Sequence, residues 1–397
     1  MPSTLGPLLL PHAERPIARM QASADVYFMS LVSLKFSSRT IKRERRAKRI
    51  SADDPQDRAG RRPPGKADRR SDGGHRMARL QSLALIAGAS AALAACATRE
   101  IPYDELTARY GLPTSHTFEP EPGLIVHYTD EGARERRTII LVHGFAASVH
   151  AWRPWVERLE KDYRLIALDL PGHGLTQAPA DYQASMDRNA ALVGKLAEHA
   201  GAQRFVLAGN SMGGGVSLAF AMKHPERLEA LVLVDAAGWP GETGEKRGGP
   251  PGFVGLLNNG VGRFFLKLFD VRMFAVDGLK SAYLDEALVT DAVIARYADL
   301  AMAVGHRDIL LTQRSQPDTP WTPADFANIH VPVLVMSGEQ DNLIPVEDAR
   351  AIAAAIPGAK LVTYPEGGHL PMEQLPDATV RDLRAFLDRL RGAEKQD

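Results

Sequence analysis

From about residue 101 the chain alternates short, nearly continuous apolar runs with stretches in which apolar residues return every three or four positions. The runs at 124–128, 138–142, 163–169, 205–208, 230–235, 331–337 and 360–364 have strand length and are rich in Val, Ile and Leu. Apolar residues on both faces, rather than at every second position, mark strands covered on both sides, as in a mostly parallel sheet. Helical periodicity fills 187–200, 216–224, 346–355 and 377–391 between those runs. This alternation predicts an α/β fold, a mostly parallel central sheet with helices on both faces and right-handed crossovers.

One interval breaks the rhythm. Residues 238–322 hold no strong strand run, and about 85 residues is too long for a plain connection, so the interval should carry structure of its own. Helical patterns at 261–269 (VGRFFLKLF) and 284–304 predict a helical cap inserted over the end of the sheet. The core would then comprise 97–237 and 323–397. Phe264, Phe265, Leu268 and Phe269 have the spacing of a face that packs such a cap on the body, with contact to an acyl chain as the alternative.

Charge adds a second division. The 48 Lys and Arg balance the 48 Asp and Glu, but residues 1–76 carry 17 basic against 8 acidic residues, an excess of nine, so the remainder is acidic by the same amount. Stretches such as IKRERRAKRI and RRPPGKADRR cannot bury enough apolar surface to offset their ordering entropy, and 1–76 reads as a basic disordered extension. Without interleaved aromatics or a binding-fold pattern, it is not expected to bind nucleic acid. Residues 77–96 read MARLQSLALIAGASAALAAC: a methionine and an arginine, an apolar segment short for a membrane span, then small residues up to Cys96. That is the order of a secretory signal. Its end, Leu93-Ala94-Ala95-Cys96, resembles the lipobox of bacterial lipoproteins, which implies lipidation of Cys96 and anchoring at the cell envelope, facing the periplasm or exterior. Because a signal is read at an N-terminus, Met77 is the expected start. If 1–76 are made, an internal anchor or a basic targeting tail are the alternatives. Cys96 is the one cysteine of the chain, so no internal disulfide is expected.

The chemistry gathers where strands end. RFVLAGNSMGGGVSLAF, 204–220, runs a buried strand into a helix through Ser211, with Gly209 and Gly213 on either side. A serine on so sharp a turn exposes its Oγ at the C-terminal edge of the sheet, and the glycines avoid Cβ clashes where the chains crowd. The helix that follows turns its N-terminal N–H groups to the same place, favouring negative charge beside Ser211. A serine hydroxyl needs a base, and the base needs an orienting partner. His369, after the run KLVTY, and Asp341, after VPVLVMSG, lie at further strand ends in the chain order Ser, Asp, His. Asp235, ending LVLVD, is the rival acid. Leu141-Val142-His143-Gly144-Phe145 is a strand followed by a glycine turn, which would aim the backbone N–H of Phe145 at the same point as that of Met212, forming an oxyanion hole. His143 and His173 are expected to hold their loops, and Asn210 to support the elbow by hydrogen bonding. No metal-ligand spacing and no dinucleotide-binding glycine loop is present, so no cofactor is expected.

Five stretches in order, LVHGF, ALDLPGHG, GNSMGGG, GEQDNLIP and EGGHLP, make residues 120–390 resemble the α/β-hydrolase superfamily. The resemblance implies Ser211 as nucleophile, His369 as base, Asp341 as its partner, and Phe145 and Met212 as oxyanion donors. It points to a capped serine esterase or lipase acting on a small-molecule ester. GNSMGGG also resembles the carbon–carbon bond hydrolases of ring-fission products, but those usually have tryptophan directly after the histidine, where this chain has Leu370. Acyl transfer to an alcohol and a catalytically silent binding role are the remaining alternatives.

Overall fold

The computed structural model describes residues 100–179, 181–240, 272–312 and 320–393. The basic extension, the segment ending at Cys96 and the pattern at 261–269 with its phenylalanines lie outside the described residues. In chain order the strands are β1 Ser115–Glu121, β2 Leu124–Glu131, β3 Thr138–Val142, β4 Arg164–Leu168, β5 Phe205–Asn210, β6 Leu228–Val234, β7 Val333–Gly338 and β8 Lys360–Tyr364. They form one sheet in the order β1-β2-β4-β3-β5-β6-β7-β8. From β4 to β8 every pairing is parallel, while β2 runs antiparallel to both β1 and β4.

All residues of β3, β4, β5 and β7 are buried, which is why they read as unbroken apolar runs. Sequence periodicity does not predict β1. Its sequence SHTFEPE is mostly polar and partly exposed, and it holds a proline, which an edge strand tolerates. Alternate residues of the central strands feed two apolar layers. Ile140, Leu207 and Val335 face one side with Val193 and Phe220, and Ile139, Val206 and Leu334 face the other with Trp155 and Leu383. Each fully buried side chain of this kind is worth about 1.5–3 kcal/mol over exposure.

The helices are α1 Tyr103–Tyr110, α2 Arg153–Leu159, α3 Met186–His199, α4 Met212–Lys223, α5 Arg272–Tyr283, α6 Asp291–Ala301, α7 His306–Thr312, α8 Pro323–Phe326, α9 Val346–Ala355, α10 Pro371–Gln374 and α11 Pro376–Ala393. Helix α4 begins four residues before the periodicity predicts. Its first turn is Met-Gly-Gly-Gly, a poor helix former, and the entire stretch from Met212 to Ala221 is buried, so packing overrides propensity there. The single helix expected over 284–304 is also interrupted. Leu284 adopts φ 58°, a 3₁₀ turn covers Glu286–Leu288, and the Thr290 hydroxyl accepts from Val293 N to start α6 afresh. No helix among the described residues is long and apolar enough to cross a membrane.

Register decides where the chemistry falls. Val142 pairs with Gly209, Asn210 with Val234, Val234 with Met336 and Gly338 with Tyr364. The residues that follow β3, β5, β6, β7 and β8 therefore leave the sheet along one edge.

Candidate active site

Ser211 stands between β5 and α4 at φ 52° and ψ −120°, a conformation a non-glycine residue adopts only under constraint. The constraint is main-chain hydrogen bonding. Ser211 N donates to Val234 O at 3.0 Å, and its carbonyl accepts from Ala237 N at 2.9 Å and Gly215 N at 3.2 Å. Although Ser211 occupies the N-cap position of α4, its side chain makes no capping hydrogen bond. The flanking glycines meet the close approach expected of them. A Cβ on Gly213 would lie 2.1 Å from Val142 O, and one on Gly209 2.2 Å from Gly213 O.

The loop after β3 packs directly on the elbow. A Cβ on Gly144 would lie 3.1 Å from Ser211 Cβ and 2.9 Å from Asn210 Oδ1, so the backbone leading into Phe145 runs beside the serine. His143 is wholly buried and holds this loop, as its position in the sequence suggests. Its Nε2 accepts from Leu170 N at 3.0 Å, which leaves Nδ1 carrying the proton and donating to Gly144 O at 2.7 Å. Burial lowers the His143 pKa, in keeping with the neutral tautomer this pattern needs. His173 packs its ring edge-on to Phe145, with centroids 5.9 Å apart, and its Nδ1 lies 3.1 Å from Pro171 O.

Asp169 braces the same corner and is a residue that sequence reasoning passes over. Its carboxylate accepts from Val149 N and Leu175 N, both at 2.8 Å, and lies 2.7 Å from His127 Nδ1. Burial pushes its pKa up, but His127 beside it and the hydrogen bonds prevail and hold it down at about 2. An aspartate closing an apolar strand was the available signal, the same one that singles out Asp235.

His369 and Asp341 come together at the ends of β8 and β7. His369 Nδ1 lies 2.7 Å from Asp341 Oδ2, and Asp341 Oδ1 accepts from Leu343 N at 2.7 Å and Ile344 N at 3.0 Å. Each oxygen of Asp341 is thus engaged, Oδ1 by the turn that follows and Oδ2 by the histidine. Asn210 joins this pair to the elbow: its Nδ2 donates to His369 O at 3.1 Å and to Val234 O at 3.2 Å. Asp235 follows β6 at φ 42° and accepts from Ser337 Oγ at 2.8 Å and Gly338 N at 3.0 Å. Its hydrogen bonds go to the end of β7, whereas those of Asp341 reach the histidine.

The helices that follow β6 reach the histidine loop. His369 N donates to Ala282 O at 2.9 Å, next to the end of α5. Tyr283 and Tyr297 hydroxyls donate to the two oxygens of Glu373, at 2.8 and 3.1 Å. Burial raises the Glu373 pKa to about 7, against the opposing pull of Arg296 and the two hydroxyls. These partners lie 90 and 76 residues from Glu373, and no local pattern marks them. Among the described residues no group of three or more His, Cys, Asp or Glu is placed to hold a metal ion.

The α/β-hydrolase family model matches residues 139–383, from β3 into α11 and across every element of this site. The chain belongs to the alpha/beta hydrolase family. Within that family it is 30% identical to Lipase 3 of Moraxella sp. over 264 residues, 64% of this chain and 78% of the lipase. It is 26% identical over 270 residues to the 2-hydroxy-6-oxononadienedioate/2-hydroxy-6-oxononatrienedioate hydrolase of Comamonas testosteroni, covering 66% of this chain and 91% of that enzyme. Among solved structures, a thermophilic esterase from Thermogutta terrifontis superimposes with a TM-score of 0.55 at 25% identity, covering 70% of this chain and 98% of the esterase. The alpha/beta hydrolase fold expected from the strand and helix pattern is the fold observed, and the chain is a hydrolase by family.

Proposed function

We propose that this alpha/beta hydrolase cleaves carboxylic esters through an acyl-enzyme on Ser211, with His369 as general base and Asp341 as its orienting partner. The observation that carries the reading is the 2.7 Å contact between His369 Nδ1 and Asp341 Oδ2, tied through Asn210 to a serine on a strained elbow. In this mechanism His369 Nε2 takes the hydroxyl proton as Ser211 Oγ attacks the ester carbonyl. Asp341 keeps the proton-bearing nitrogen turned toward itself and stabilises the imidazolium that forms. The developing oxyanion is received by the backbone N–H groups of Phe145 and Met212, the second of them opening α4, whose dipole favours negative charge there. His369 returns the proton to the departing alkoxide. A water activated by the same histidine then releases the acid.

One observation favours esters over carbon–carbon cleavage: Leu370 stands directly after His369, where the carbon–carbon hydrolases usually have tryptophan, while the likeness extends to a lipase, an esterase and a carbon–carbon hydrolase alike. The segment ending at Cys96 supports a lipid-anchored protein at the cell envelope, where its ester substrate would be met. The test is turnover of a graded series of p-nitrophenyl esters by protein beginning after Cys96, with Ser211→Ala in parallel. Hydrolysis that disappears in S211A is the expected result, and its chain-length profile measures the acyl pocket. No ester turnover, with cleavage of a vinylogous 1,5-diketone instead, would replace the ester reading by the carbon–carbon one. An alcohol added to the assay separates hydrolysis from acyl transfer by its products.

A further inference from the structure

Two aspartates, not one, stand behind His369. Asp235 is 1% exposed, and only its Oδ1 is satisfied, by the Ser337 hydroxyl and Gly338 N. Its Oδ2 is buried and finds no donor. Gly338 places Asp341 beside it: Gly338 N donates to Asp235 Oδ1 at 3.0 Å while Gly338 O accepts from Asp341 N at 3.4 Å, and the Asp341 carboxyl is the charge that acts on Asp235. Asp341 already accepts two backbone N–H bonds on Oδ1 and faces His369 with Oδ2, so it is arranged as a carboxylate. Two carboxylates in contact in a water-free corner repel strongly, while a carboxylic acid beside a carboxylate forms a short charge-assisted hydrogen bond. An orphaned buried oxygen loses its water without a replacement partner, and a proton on it converts the orphan into a donor.

We infer that Asp235 is held as a neutral carboxylic acid whose Oδ2–H donates to the Asp341 carboxylate, making it a positioning residue for the acid that orients His369. This rests on the reading of Ser211, His369 and Asp341 as the hydrolytic triad. One proton sits on the pair and stays with Asp235; no covalent bond is made or broken. The titratable groups facing Asp235 are Asp341, from the loop after β7, and Tyr364 at the end of β8. Neither supplies a positive charge to hold Asp235 ionised. Burial, and then the charge of Asp341, push its pKa well above the usual carboxylate range. The hydrogen bond limits how Asp341 can turn and draws negative charge away from the imidazole, so it tunes the basicity of His369 as well as its placement. The β6 and β7 ends thus serve one function jointly, with Ser337 and Gly338 holding the acid that holds Asp341.

Asparagine is the neutral mimic that this arrangement calls for. Its Oδ1 can accept from Ser337 and Gly338, its Nδ2 can donate to Asp341, and it tolerates the positive φ at this position. The experiment compares the full mature protein with Asp235→Asn and Asp235→Ala. A wild-type minus D235N infrared difference spectrum at neutral pH is expected to show the carbonyl stretch of a protonated carboxylic acid. Carboxylate bands in its place would overturn the inference. In turnover, D235N should stay within about threefold of wild type with the acid limb of kcat/KM unmoved, while D235A should lose about tenfold or more. Without the donor, Asp341 bears more charge toward His369, so the acid limb of D235A should move to higher pH. Loss in D235N as severe as in Asp341→Asn, or an unmoved acid limb in D235A, would contradict the assignment. Should D235A fail to fold, D235N and the spectrum decide alone. The infrared result does not depend on the substrate, so failure of the ester reading leaves this test standing.

Discussion

The site is held in two different ways on its two sides. On the Ser211 side, backbone does the positioning: a strained φ, three main-chain hydrogen bonds and glycines with no room for a Cβ. On the His369 side the loop glycines are crowded too, a Cβ on Gly338 lying 2.2 Å from Gly368 O, but the functional groups are set by side chains: Asp341, Asp235, Ser337 and Asn210 make the polar contacts around the histidine. The difference teaches where each side is fragile. A backbone-built feature should fail when volume is added, and a side-chain-built feature when one donor or charge is changed at constant volume.

The largest effect that separates the two sides is expected from Asp341→Asn. It keeps the volume but offers His369 an amide, which permits the wrong tautomer, and kcat should fall by about 10⁴-fold with the melting temperature little changed. Steady-state kinetics beside thermal melting checks it, and equal loss of stability would erase the contrast. The converse variant is Gly213→Ala. A Cβ 2.1 Å from Val142 O forces β3 and α4 apart, at an overpacking cost of about 1–3 kcal/mol or more, so Tm should drop by several degrees and activity with it. A G213A protein with wild-type stability would show that the elbow is not sterically fixed. Asn210→Ala tests the tie between the sides. Removing its Nδ2 leaves His369 O and Val234 O without that donor, and kcat is expected to fall about tenfold while D341N-like collapse is not.

Legibility in the sequence follows the same division. Strands buried on both faces announce themselves as apolar runs, and a glycine-serine-glycine elbow must be written locally because the clash it avoids is local, between β5, α4 and the end of β3. Asp341 and His369 could be placed because each lies in the short loop after such a run, in the order Ser, Asp, His. Strand β1 was not readable, since a short polar edge strand takes its pairing from β2 rather than from its own residues. The start of α4 at three glycines, and the break in the helix before Thr290, were set by packing and by a cap. Glu373 with Tyr283 and Tyr297 had no local signature, because tertiary folding alone brings the three together.

The smallest expected effect concerns that Glu373 contact, where the helices after β6 meet the histidine loop. Its folded pKa of about 7 lies above the ordinary glutamate value, so its contribution to stability is complete below about 4.5 and is lost as pH rises through 7. Glu373→Gln cannot ionise. The wild-type Tm should therefore decline between pH 5 and 8 by a few degrees more than that of E373Q, in thermal melts across a buffer series. Parallel curves would remove Glu373 from the account.

The claim on which everything else rests is that Ser211 is an activated nucleophile on a preformed elbow. Its most direct test is to treat the folded protein with a fluorophosphonate and map the adduct by peptide mass spectrometry. The account predicts one equivalent of label, carried by the peptide that contains Ser211, and none in S211A or after unfolding. Absence of label from the folded wild type, or label on another residue, would contradict it.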